Sequence, residues 1–235
     1  WDAKQEFADA GKGRIEKSLS KAVERGKLSE EDRDAALGRL TFTTELKDFA
    51  DREIVIEAII ENEEVKKDVF SQLDEIVEDP KAALCSNTSS LPIQTIASAT
   101  KKPGRVIGLH FFNPVAKMPL VEVLHTEQTD EATLATGREV VRRVRKFAVD
   151  SADAPGFIVN RLLFRVLGGV LASLDAGADP TEVDASLDAL GMPMRPFELL
   201  DLVGLGVADH VGRVLLEELG DRFHASPGLG VMAQG

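Results

Sequence analysis

The chain has 235 residues, 43% hydrophobic and 29% charged, with 40 acidic against 28 basic side chains and a formal net charge of −12. That length supplies a core for one large domain or two modest ones, in an ordinary soluble balance of residue types. The charge excludes a general nucleic-acid binder, because no broad face would neutralise phosphates. No apolar run approaches the roughly 18 residues of a membrane-crossing helix, and no secretory or transit segment opens the chain. The single cysteine, Cys85, excludes an internal disulfide framework and suits a reducing, cytoplasmic setting. It lies in an apolar run and reads as a small core residue. The chain opens on Trp1-Asp2 rather than Met and runs straight into a helical pattern, so it reads as a piece of a longer chain.

Residues 3–39 carry helical periodicity, with Phe7, Ile15, Leu19, Ala22 and Val23 near one face. Gly26 to Asp32 breaks the run. Ser29 before Glu30, Glu31 and Asp32 predicts an N-cap with an acidic first turn, and so a helical hairpin. Leu40 to Thr44 is β-prone. Ile54 to Ile60 predicts a strand buried on both faces, as in a parallel sheet. A helix over 63–77 follows, then a strand over 82–86, a short helix over 92–99, a strand over 106–112 and another over 120–124, and a helix over 130–145. The alternation points to an α/β fold with a parallel, doubly wound sheet. After Asp153-Ala-Pro155 the character changes. Helices are expected from Gly156 to about Ala176, then over 180–190, 196–203 and 206–219, with no further strand. Residues 1–152 therefore read as one domain and 153–235 as a second, all-helical one. The first helix of the second domain is apolar on too many faces for a surface helix and suits a homodimer contact. The Gly-, Ala-, Pro- and Ser-rich tail from residue 220 is expected to be poorly ordered.

The richest stretch is Gly108-Leu-His-Phe-Phe-Asn-Pro-Val-Ala-Lys-Met-Pro-Leu-Val-Glu-Val123. A Pro-broken loop between its two strands can bring His110 face to face with Glu122. A carboxylate beside a histidine fixes its tautomer and stabilises the imidazolium, which is what a general base needs to take a proton from an alcohol. On spacing alone, a histidine beside two phenylalanines is more often a packed core residue. In doubly wound sheets ligands bind outside the C-terminal strand ends. Glu61, Asn87 to Ser90, and His110 with Asn113 all fall at such ends.

This stretch, together with Arg14-Ile-Glu-Lys-Ser-Leu19, Val55-Ile-Glu-Ala-Ile-Ile-Glu-Asn62, Ser86-Asn-Thr-Ser-Ser-Leu91, Pro155-Gly-Phe-Ile-Val-Asn-Arg-Leu162 and Pro196-Phe-Glu-Leu-Leu-Asp-Leu-Val-Gly204, resembles the 3-hydroxyacyl-CoA dehydrogenase family. The N-terminal half is most similar to its bacterial 3-hydroxybutyryl-CoA branch. The resemblance implies a Rossmann-like domain followed by a helical one, and NAD-dependent oxidation of (3S)-3-hydroxyacyl-CoA to 3-oxoacyl-CoA. It implies that His110 is the base and Glu122 its partner, that Ser89 and Asn160 hold the substrate oxygen and the histidine, and that Asn113 aligns substrate and nicotinamide. Glu61 and Lys66, with Ser89 and Asn113, match cofactor positions. Asp2 matches the acidic residue that binds the adenosine ribose, and Ser18 and Arg25 fall where the family touches CoA. No metal is implied.

The sequence departs from the family in four ways. The opening strand with its Gly-x-Gly-x-x-Gly turn is absent, as is a Gly-Lys-Thr-Gly-rich C-terminal segment. Arg195 stands where Gly is usual, and Gly206 where Asp is usual. The first two suggest truncation at both ends. The last two put the packing or dimer contacts of the helical domain in question. Two other readings stay open: a non-catalytic acyl-CoA-binding or dimerising descendant, and the dehydrogenase module of a multifunctional β-oxidation protein.

Overall fold

The computed structural model describes residues 1–192 and 194–233. An opening hairpin pairs α1 (Gln5–Glu24) with α2 (Glu30–Leu37). Ser29 caps α2 as its sequence predicts, its Oγ accepting from the Asp32 amide at 3.0 Å. The remaining elements of the first half are β1 (Ile54–Glu57), α3 (Glu63–Ile76), β2 (Ala83–Ser86), α4 (Ile93–Ala97), β3 (Val106–Phe111), β4 (Leu120–His125), α5 (Glu131–Arg143) and β5 (Phe147–Ala152). The strands form one sheet in the order β1-β2-β3-β4-β5.

The sheet is mixed, not wholly parallel. β1, β2 and β3 run parallel, β3 and β4 antiparallel, and β4 and β5 parallel. The connection over 112–119 is too short for a crossover, which needs about a dozen residues or more, so the chain must reverse. Residues 40–44, read as β-prone, form no strand. β1 ends at Glu57 instead of running to Ile60, and it lies at the sheet edge with Ile56 and Ile60 exposed. β5 went unread because its residues are mostly exposed and lack inward alternation.

Side chains of successive strand residues point to opposite faces, which builds two cores. On one face Val55, Leu84, Val106 and Leu124 pack with Val69, Phe70 and Leu73 of α3 and Ile93 and Ile96 of α4. On the other, Ala83, Cys85, Ile107, Leu109, Val121 and Val123 pack with Leu134 and Val141 of α5. Cys85 is a core residue, and burial pushes its thiol well above its ordinary range. The same alternation sends Glu57, Ser86, His110 and Glu122 to the α3–α4 face. Register sets Glu57 beside Ser86, Ser86 beside Gly108, and His110 beside Glu122. A polar row thus crosses the sheet at the C-terminal ends of β1, β2 and β3.

A buried ion pair at the N-terminal end of β3 ties that strand to α3. Arg105 Nε and Nη2 donate to Asp74 Oδ1 at 3.0 and 2.8 Å, and the guanidinium also donates to the Asp74 and Asp79 carbonyls at 2.8 and 3.1 Å. It thereby satisfies the Asp74 carbonyl, in the last turn of α3, which the helix leaves unpaired. Asp74→Ala strands a buried guanidinium. Urea denaturation should show a loss of about 3–5 kcal/mol; a loss below about 1 kcal/mol, the range of an exposed pair, contradicts this.

The second half is helical: α6 (Val159–Asp175), α7 (Pro180–Ala185), α8 (Pro196–Val203), α9 (Leu205–Leu219) and α10 (Pro227–Met232). Leu167, Leu171, Leu200, Ala208 and Leu229 form its core. Residues 220–233 are folded, contrary to their composition. Asp175 Oδ1 accepts from Ser226 Oγ at 3.0 Å, and its Oδ2 lies 2.7 Å from His224 Nε2, which pins the tail to α6. Arg195 makes an exposed bidentate pair with Asp188, at 2.9 and 2.6 Å. Gly206 lies in the first turn of α9, with open space where a Cβ would stand.

Candidate active site

His110 and Glu122 are cross-strand partners, and both are buried. His110 Nδ1 lies 2.7 Å from Glu122 Oε2. A carboxylate only accepts, so Nδ1 carries the proton and Nε2 is left with its lone pair. Among the described residues none hydrogen-bonds Nε2. Phe112 and Phe157 wall the ring, with centroids 4.5 and 5.4 Å away.

Glu122 has a second task. Its Oε1 accepts from the Ile158 and Val159 amides at 2.9 and 2.8 Å, two donors that the start of α6 leaves unpaired. One carboxylate therefore orients the histidine and ties the helical half to the sheet. The backbone before it bends sharply. Gly156 and Phe157 both adopt positive φ, 71° and 47°. A Cβ on Gly156 would stand 2.7 Å from Leu215 and 3.1 Å from the Arg161 amide nitrogen, so only glycine fits.

Burial pushes the Glu122 carboxyl up, but the His110 hydrogen bond and the Val159 and Ile158 amides outweigh it and hold it below its ordinary 4.5. A folded-state pKa below the unfolded one stabilises fully above the unfolded value. That stabilisation is lost as pH falls through the folded value. The stability gap between wild type and Glu122→Gln should thus be full above pH 4.5 and close below it. Thermal melts across that range check this; a gap that widens toward acid contradicts it.

Ser89 and Asn160 come together. Asn160, in the first turn of α6, donates from Nδ2 to the Ser89 carbonyl at 3.4 Å. Asn87 Oδ1 accepts from the Phe111 amide at 2.9 Å, which binds the 87–91 segment to the end of β3. Glu61 organises the same segment. Its Oε1 accepts from Thr88 Oγ1, from the Ser89 and Ser90 amides at 2.9 and 3.0 Å, and from Ser90 Oγ at 3.0 Å. Burial raises the Glu61 carboxyl, but the Thr88 hydroxyl, the Lys66 charge and the Ser89 and Ser90 amides bring it below its ordinary value. Lys66 lies beneath it, 1% exposed, with Nζ 2.6 Å from Glu57 and 3.4 Å from Glu61. Lys66 therefore faces the site only through Glu61.

The other candidates stand apart. Asn113 is exposed in the turn after β3. Ser18 and Arg25 are exposed at α1 and its end, and no hydrogen bond or ion pair joins them to the dyad. Asp2 lines a groove of about 470 Å³ along β1 with Trp1, Phe7, Ile56, Ala58, Ile59 and Ile60. An acceptor carboxylate beside apolar side chains is chemistry that suits hydroxyls joined to a flat apolar ring, as in an adenosine. The sequence contains no Gly-x-Gly-x-x-Gly to receive a pyrophosphate. A separate cleft of about 420 Å³ between the halves shares Ser90 and Phe157 with the site and is also lined by Asp153, His210 and Glu218. Among the described residues no cluster of three or more metal-ligating side chains occurs, and no helix is long and apolar enough to cross a membrane.

Glu57, the Phe157 wall and the α6 amides are not among the candidates read from the sequence. For Glu57 a signal existed: it is the one charge in the Ile54–Ile60 run, and it shares the parity of inward-facing Val55.

An α/β sheet whose strand ends carry a buried histidine–carboxylate pair, closed by a helical unit, has the layout of a two-domain dehydrogenase. The chain is a member of the 3-hydroxyacyl-CoA dehydrogenase family: the family's NAD binding domain matches residues 1–154, and its C-terminal domain matches 156–234. A 3-hydroxybutyryl-CoA dehydrogenase of Mycobacterium tuberculosis is 48% identical over 223 residues, 94% of this chain and 78% of that one. The crystal structure of (S)-3-hydroxybutyryl-CoA dehydrogenase PaaH1 from Ralstonia eutropha superposes with a TM-score of 0.94 at 32% identity, over 99% of this chain and 83% of that one. That of 3-hydroxybutyryl-CoA dehydrogenase from Escherichia coli K12 gives 0.94 at 36%, covering 100% of this chain and 50% of that one.

Proposed function

We propose that the chain catalyses NAD-dependent oxidation of (3S)-3-hydroxyacyl-CoA, with 3-hydroxybutyryl-CoA as substrate, to the 3-oxoacyl-CoA. The observation that carries this reading is the buried His110–Glu122 pair, whose proton placement leaves Nε2 able to accept. His110 Nε2 takes the hydroxyl proton, and Glu122 offsets the charge that develops on the ring. NAD, when bound, supplies the acceptor for the hydride that leaves the substrate's C3. Ser89 and Asn160, already side by side, hold the reacting oxygen, and Asn113 aligns the substrate from the β3–β4 turn. Asp2 receives the adenosine ribose in its groove, and Glu61, backed by the buried Lys66, meets the cofactor beyond the end of β1. Ser18 and Arg25 offer polar contacts to CoA on α1.

A division at 152/153 would follow directly on the end of the last strand at Ala152. Ile158, Leu162 and Val166 recur at helical spacing as an exposed apolar stripe on α6, which supports a homodimer through the helical half. The free, buried Cys85 is consistent with a cytoplasmic protein acting in fatty acid metabolism.

The test follows the loss of NADH absorbance when acetoacetyl-CoA is added to the full gene product. Turnover that requires His110 supports the reading. Tight acetoacetyl-CoA binding without turnover favours a non-catalytic acyl-CoA-binding descendant and overturns it.

A further inference from the structure

Glu57 belongs to none of the groups assigned above, yet it is one of the most enclosed charges in the molecule, with a side chain only 2% exposed. Three donors converge on it: the Ile59 amide at 2.6 Å, Lys66 Nζ at 2.6 Å and Ser86 Oγ at 2.7 Å. Two routes then lead from Glu57 to one turn. Through Lys66 the ammonium faces Glu61 Oε2 at 3.4 Å, and the other oxygen of Glu61 holds Thr88, Ser89 and Ser90. Through Ser86, the same hydroxyl that donates to Glu57 accepts from the Thr88 amide at 3.3 Å. The turn is closed on itself by Thr88 Oγ1, which accepts from the Leu91 amide at 2.9 Å. Its Ser89 carbonyl meets Asn160.

We propose that Glu57 is a positioning residue: by holding Lys66 and Ser86 it sets Glu61, and so fixes the Thr88–Ser90 turn and Ser89 against Asn160. The role in turnover rests on the dehydrogenase reading; the control of the turn does not.

The physical reason lies in charge balance. The buried ammonium sits between two carboxylates and stands closer to Glu57. With Glu57 neutral, Glu61 becomes its only counter-charge among the described residues. In a poorly solvated setting the ammonium and Glu61 then draw together, and Glu61 leaves the four donors of the turn. With Lys66 neutral as well, nothing pulls Glu61 away, and the turn keeps its acceptor. Glu57 thus acts on the turn through the charge of Lys66, which a purely volume-filling residue would not do.

Amide hydrogen exchange tests this without reference to turnover. In Glu57→Gln the Ser89 and Ser90 amides should exchange on the order of tenfold faster, the equivalent of about one net hydrogen bond, while α5 amides on the other face of the sheet stay unchanged. Adding Lys66→Met should return the two amides to within about threefold of wild type. In active protein, Glu57→Gln should lower kcat about tenfold with KM for acetoacetyl-CoA altered less than about twofold. Faster exchange in α5 to the same extent, or a turn that stays loose in the double variant, overturns the proposal. Should Glu57→Gln alone not fold, the charge-neutral double variant decides against wild type by the same threefold criterion. A protein whose exchange behaves as expected but which never turns over acetoacetyl-CoA refutes the dehydrogenase reading and leaves the network standing.

Discussion

Replacing Glu122 with glutamine should cut turnover on the order of 10³- to 10⁴-fold while leaving acyl-CoA affinity nearly intact. The reason is a proton in the wrong place. Glu122 Oε1 is committed to the Ile158 and Val159 amides, which can only donate. A glutamine must keep its carbonyl oxygen there, and so turns its NH2 toward His110 Nδ1. Nδ1 then accepts, the ring proton moves to Nε2, and the nitrogen that should take the substrate proton is already protonated. The packing survives, since the two side chains have the same shape. Steady-state kinetics with acetoacetyl-CoA check the outcome. A large loss of affinity with unchanged kcat would make Glu122 a binding residue instead.

His110→Ala should lower the rate on the order of 10²- to 10⁴-fold, the usual contribution of a positioned general base. The variant leaves a small gap between Phe112 and Phe157 and leaves Glu122 still tied to α6, so the fold is retained. Buried but unpartnered on one side, the carboxylate is expected to titrate at higher pH than in wild type. Near-normal turnover in the alanine protein, measured under the same conditions, contradicts the assignment of the base.

The dyad was legible in the sequence because its cause is local. Two strands separated by a short Pro-broken turn must pair with each other, and residues equidistant from that turn must meet; His110 and Glu122 do so in register. Ser29 and α2 were legible for the same reason, since a cap and its helix are contiguous. What escaped depends on partners far along the chain. Glu57 becomes a buried ion-pair member only once α3 brings Lys66 across the strand end and β2 lays Ser86 alongside it. β5 is an edge strand with little inward face, so it carries no alternation to read. The tail looks like linker by composition, yet Asp175, 51 residues before Ser226, gives it an anchor. The α6 amides that Glu122 accepts are backbone atoms and leave no mark in residue identity.

The proposed chemistry depends on which nitrogen of His110 holds the proton. Nitrogen NMR of histidine-labelled protein at neutral pH reads this directly. The geometry predicts the Nδ1-protonated tautomer in wild type, because Nδ1 faces the Glu122 carboxylate at 2.7 Å, and the Nε2-protonated tautomer in Glu122→Gln. An Nε2-protonated ring in wild type would contradict the account, because His110 would then have no lone pair facing the substrate.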